Sequence, residues 1–135
     1  MIAIDTNILA RFYVQDAKDD PGLKQHKLAA RIMGEEIFVS HTVALEFEWV
    51  LRGAYRLDRS TIIKTFEHLQ GLGSAIIEHD SAMTDALRNY QHGLDFADAL
   101  HLAAARHCAG MATFDKDFAK LAKRLNLTPP CLTPS

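Results

Sequence analysis

The sequence predicts an α/β fold, a three-layer α/β/α arrangement around a central, mainly parallel sheet of four or five strands. One pattern carries that expectation. Short β-forming segments at residues 2–4, 36–40, 75–77 and 111–114 alternate with helix-length amphipathic stretches. Such alternation builds right-handed crossovers between parallel strands, with helices on both faces of the sheet. At 135 residues, with no internal repeat or linker, the chain reads as one domain over 1–135.

Residues 2–4 form an apolar run, as in a buried strand, that ends at Asp5-Thr6-Asn7, residue types favoured at helix N-caps. A polar stretch over 15–22 precedes a helix over 21–33, with Pro21 suited to its first turn. Residues 36–40 are rich in β-formers and bounded by Gly34 and Ser40. Over 42–56, Val43, Phe47, Val50 and Ala54 recur at helical spacing. The next helix, over 59–72, is framed by Asp58 or Ser60 as cap and by Gly71 and Gly73 at its end. Residues 75–77 make a third strand and 81–92 a helix. Asp95 starts an Ala-rich helix that runs to near Gly110. After the strand over 111–114, Asp115 opens a last helix through 125. The tail, with Pro129, Pro130 and Pro134, can add at most a short edge strand.

Composition narrows the function classes. The apolar runs fall far short of the roughly 20 residues needed to cross a bilayer, so no membrane partner is expected. The N-terminus lacks a basic segment and reaches Asp5 early, which argues against a signal peptide and for the cytoplasm. Cys108 and Cys131 make neither a disulfide framework nor a zinc site and read as buried or partly exposed thiols in a reducing compartment. A net charge of −2 disfavours a passive nucleic-acid binder, but not a nuclease whose carboxylates are offset by bound cations.

In open α/β sheets, ligands bind outside the carboxyl ends of the strands, and Asp5 and Asp115 sit at two such ends. Each also serves as a helix cap in the plainest reading. Asp117, in the first turn after Asp115, is favourable there in any case. Asp98 lies three residues after the cap Asp95, the spacing of a capping-box partner. It also opens an apolar helix, where a carboxylate on the sheet rim can face a metal. Glu46 lies three residues after Val43 and four before Val50, so it shares the face of the apolar stripe, where a lone carboxylate is costly. The bland alternative puts it at the edge of that stripe, reaching water or an arginine. Glu48 reads as surface, and Phe47 and Trp49 as core. Oxygen ligands with few histidines suit Mg²⁺ or Mn²⁺ rather than Zn²⁺. No two of the seven histidines pair on a common helix face, and there is no glycine-rich phosphate loop or Gly-x-Ser-x-Gly turn. The chemistry on offer is metal-assisted hydrolysis.

Four segments, in order, carry a resemblance: Ile2-Ala3-Ile4-Asp5-Thr6-Asn7-Ile8-Leu9, Ser40-His41-Thr42-Val43-Ala44-Leu45-Glu46-Phe47, Asp95-Phe96-Ala97-Asp98-Ala99-Leu100-His101-Leu102 and Ala112-Thr113-Phe114-Asp115-Lys116-Asp117-Phe118. They resemble PIN-domain proteins and, more narrowly, the toxins of bacterial VapBC-type toxin–antitoxin pairs. The resemblance implies catalytic acids at Asp5, Glu46, Asp98 and Asp115, with Asp5, Asp98 and Asp115 as ligands of one or two Mg²⁺ or Mn²⁺ ions. Asn7 and Thr113 match the polar residues that support the first and last acids, with Asp95 and Asp117 beside the site; Asp117 competes with Asp115 for the last position. Cleavage of single-stranded RNA, commonly transfer or ribosomal RNA, is implied, as are a homodimer and inhibition by a cognate antitoxin. Arg11 and Lys116 are candidates for holding flanking phosphates. Three rivals stand beside this reading: a PIN-like binding module without catalysis, a flavodoxin-like phospho-acceptor domain, and a nuclease for DNA or structured RNA.

Overall fold

The computed structural model describes residues 1–14 and 20–135; most of the polar stretch expected over 15–22 lies outside them. The chain forms two compact units, Met1–Asp80 and Ser81–Ser135.

In the first unit three strands, β1 (Ile2–Ala3), β2 (Ile37–Val39) and β3 (Ala75–Ile77), form a parallel ladder in the order β1-β2-β3. The register pairs Ile2 with Ile37, and Ile37 with Ala75. Parallel neighbours need long connections. Here they are the helix pair α1 (Thr6–Tyr13) and α2 (Asp20–Met33), then the pair α3 (His41–Gly53) and α4 (Arg59–Gly71). β2, in the middle, is buried at Ile37 and Val39, with Phe38 between them half-buried. β1 is exposed at both of its residues, against the expectation of a buried strand, because it lies at the ladder's edge; burial begins at Ile4.

The core of this unit is aliphatic and aromatic. Leu9, Phe47, Leu51, Ile62, Phe66 and Leu69 are buried, and the Phe47 and Phe66 rings pack with centroids 5.6 Å apart. Helix starts follow the sequence closely. Ser40 accepts the Val43 N–H at 3.2 Å, and Asp58 accepts that of Thr61 at 2.8 Å. Those bonds satisfy donors that would otherwise have no partner inside the helix.

α3 departs from the expected stripe. Its buried residues are Ala44, Phe47, Glu48 and Leu51, an i, i+3, i+4, i+7 set rotated one position from Val43, Val50 and Ala54. Three expectations change as a result. Glu46 is exposed, so it does not share the core face; Glu48 is only 2% exposed; and Trp49, two residues beyond Phe47, is 63% exposed. Glu48 is accommodated by Arg52 one turn on, whose Nε lies 2.8 Å from a carboxylate oxygen.

The second unit holds α5 (Asp80–Gln91), α6 (Phe96–Ala104), β4 (Met111–Ala112), α7 (Lys116–Arg124) and β5 (Cys131–Leu132), α5 opening at the boundary between the units. β4 and β5 pair in parallel, Met111 against Cys131 and Ala112 against Leu132, so the tail supplies the short strand expected of it. Among the described residues the strands pair in parallel within each unit, three in the first and two in the second. Tyr90 and Phe96 meet edge to face at 5.3 Å in this unit's core. α6 stops at Ala104 rather than near Gly110. The Ala105 N–H is shared among the carbonyls of His101, Leu102 and Ala103, and Cys108 N–H bonds to Ala105 at 2.8 Å, a tightening into three-residue turns. No helix among the described residues is long and apolar enough to cross a membrane.

Truncating Phe66 to alanine removes a fully enclosed ring, and urea denaturation is expected to register a loss of about 3–5 kcal/mol.

Candidate functional site

In the first unit the chain leaves β1, passes Ile4 and turns at Asp5 into α1. Asp5 is extended, with φ −99° and ψ −179°, and its Oδ1 accepts the N–H groups of Asn7 at 3.1 Å and Ile8 at 3.4 Å. The capping reading of Asp5 therefore holds. It uses one oxygen only, and Oδ2 takes no hydrogen bond among the described residues. Asn7 serves Asp5 through its main-chain N–H.

The next residue ties the turn to α3. The hydroxyl of Thr6, which is buried, donates to Oε1 of Glu46. Glu46 thus lies at the edge of its helix, within reach of water, but fixed at one oxygen. Sequence reasoning weighed Thr6 only as a capping residue; its place directly after a strand-end aspartate was the available signal. Arg11, in the last turn of α1, is half-buried and lines a groove of about 470 Å³ with Asn7, Gln25 and Leu28.

The second unit repeats the aspartate cap twice, between α5 and α6 and between β4 and α7. Asp95 caps α6, its Oδ2 accepting the N–H groups of Ala97 at 3.1 Å and Asp98 at 3.4 Å. Asp98 does not return the bond that would complete a capping box, so its carboxylate stays available. Asp115 caps α7 through Oδ1, which accepts the Phe118 N–H at 3.0 Å, and its own N–H donates to Thr113 Oγ1 at 3.0 Å. Thr113 thus holds the Asp115 turn. Asp117 and Lys116 are exposed in the first turn of α7. The capping role separates Asp115 from Asp117.

Electrostatics tie three of these acids together. Burial raises the Asp98 carboxyl above its ordinary range, and the negative charges of Asp95 and Asp115 raise it further, with His101 opposing. The Cys131 thiol is also raised, by burial first and then by the charge of Asp98. Cys131 is half-buried and Cys108 exposed, and both are free thiols.

Among the described residues no three Asp, Glu, His or Cys side chains form a ready-made metal cage. The donors nevertheless suit a small hard cation. Mg²⁺ keeps several waters and is commonly bound through one or two carboxylates together with substrate phosphate, not in an all-protein cage. Asp98, destabilised by burial and then by its like-charged neighbours, and Asp115, whose Oδ2 takes no hydrogen bond among the described residues, are such carboxylates.

A family model described as the PIN domain matches residues 2–124, across both units. The chain belongs to the PIN domain family. PIN domains have a nuclease-like fold, which fits parallel strands feeding helices through acidic turns. No curated protein matches this PIN domain chain.

Because the Asp98 carboxyl is raised in the folded protein, its ionised form opposes folding. Stability linked to Asp98 is fully present below its unfolded pKa and lost as pH rises through the folded value. Replacing it with asparagine is expected to raise the melting temperature slightly at neutral pH without added metal. Melting curves taken down to about pH 3 are expected to converge with those of the wild type.

Proposed function

We propose that this PIN domain protein is an endoribonuclease dependent on Mg²⁺ or Mn²⁺ that cleaves single-stranded regions of transfer or ribosomal RNA. On this reading it is the toxin of a bacterial toxin–antitoxin pair, a cytoplasmic homodimer silenced by its antitoxin. The observation that supports the reading most directly is the capping geometry. Asp5 and Asp115 each spend one oxygen on a helix N-terminus and keep the other, while Asp98 stays uncapped and electrostatically strained.

Asp98 and Asp115 are the proposed metal ligands, and the family resemblance adds Asp5 to the set. The bound ion supplies positive charge at the scissile phosphate and makes a coordinated water more acidic. The chain's own residues do the rest. The N–H groups at the starts of α1 and α7 fix the rotamers of Asp5 and Asp115. Thr113 keeps the α7 turn closed behind Asp115. The Thr6 hydroxyl occupies one oxygen of Glu46 and leaves the other to orient water or accept its proton. Asp95 holds the start of α6 and, by its charge, raises the incentive for Asp98 to meet a cation.

Purified protein incubated with a total small-RNA pool and with ribosomes tests the proposal. Discrete cuts are expected with Mg²⁺ or Mn²⁺ and none with EDTA. Asp5→Asn and Asp98→Asn are expected to lower the rate about 100-fold or more, and Thr6→Val, which frees Glu46, about 10-fold. Wild-type cutting that persists in EDTA or in both asparagine variants would reject the assignment. A folded protein that binds these RNAs but never cuts them would favour the non-catalytic module.

A further inference from the structure

α7 does more than fix Asp115. Its inner face is Phe118 and Ala122, both buried. Lys116, Lys120 and Lys123 follow at i, i+4 and i+7, about one charge per 5.4 Å turn. They line a groove of about 540 Å³ with Asn126, Cys131 and Thr133, all within the second unit. Ala119 and Ala122 are small residues in the same lining.

Two features mark this surface off from an ordinary solvated helix face. No carboxylate lines the groove, and none of the three ammonium groups has an ion pair among the described residues, although the whole chain carries a net charge of −2. The groove also reaches the acidic turns. Its lysine row starts at the residue after Asp115, and Cys131 in its wall feels the charge of Asp98.

We propose that this groove between α7 and β5 is a track for the phosphodiester backbone of single-stranded RNA, held by Lys116, Lys120 and Lys123. The chemistry selects that ligand. A row of compact point charges without an arginine fork or a backbone N–H nest suits a repeating polyanion gripped without regard to sequence. An open groove with alanines in its lining accepts an extended strand. The track rests on the nuclease reading for its purpose: it holds RNA beside the Asp98 and Asp115 turns and leaves cutting to them.

The test is fluorescence anisotropy of a fluorescein-labelled, mixed-sequence single-stranded RNA with the full chain, in EDTA, over a series of KCl concentrations. The triple variant Lys116→Gln/Lys120→Gln/Lys123→Gln is expected to bind more weakly and to lose about 2 from the slope of log affinity against log salt. The corresponding triple arginine variant is expected to keep both. Unchanged affinity and slope in the glutamine variant would overturn the track, and Mg²⁺-dependent cutting by that variant at the wild-type rate would leave the nuclease reading standing. Lysine-dependent binding by a wild type that never cuts would support the track and reject the nuclease. A wild type that binds no RNA would reject both. Poly-glutamate that displaces the RNA at equal charge would assign the groove to an acidic protein segment instead.

Discussion

The constraint on which most of this structure depends is the shortage of acceptors at the start of a helix. Each α-helix leaves its first N–H groups without internal partners, and the aligned peptide dipoles put partial positive charge there. Asp5, Asp58, Asp95 and Asp115 meet that need at α1, α4, α6 and α7, and Ser40 meets it at α3. A carboxylate has more acceptor capacity than a cap consumes. Where the cap follows a strand end, the surplus points toward the place where α/β folds hold ligands. Asp5 and Asp115 stand there, and local folding and chemistry ask for the same residue.

That double use explains why the acids tolerate one another. Asp98 sits among Asp95 and Asp115, and like charges so close are unfavourable. Asp95 and Asp115 each spend an oxygen on a helix N-terminus, whereas Asp98 is raised first by its burial and then by the charge of these two neighbours. Thr113 and Thr6 add neutral hydroxyls that fix a neighbour without adding charge. The result in each unit is an acidic turn held in place by backbone geometry.

Much of this was legible in the sequence, for physical reasons. Strand-end aspartates, the Asp58 and Asp95 caps and the alternation of short β-segments with helices all depend on neighbours in the chain, so residue order reveals them. The misreadings came where tertiary packing decides. In α3 the apolar residues Val43, Ala44, Phe47, Val50 and Leu51 permit two stripes one residue apart, and only the packing partners choose the one that buries Glu48 and leaves Trp49 outside. Glu46 drew attention for an environment it does not have; what marks it is Thr6, 40 residues away in the chain. The Ala-rich stretch after Asp98 carries no stop before Gly110, so nothing local announces that α6 ends at Ala104.

The reach of the family match gives the lysine groove a further meaning. The match closes at residue 124, the last residue of α7, whereas Asn126, Cys131 and Thr133 in the facing wall lie beyond it. One wall of the trough thus belongs to the shared framework and the other to a short tail that pairs with it through two residues of β5. The Pro130 and Leu132 carbonyls accept the Met111 and Thr113 N–H groups at 2.9 Å, so the backbone of this segment braces the strand that leads into the Asp115 turn while its side chains are free to vary. Divergence of ligand preference among proteins built on this framework has a natural seat in those side chains.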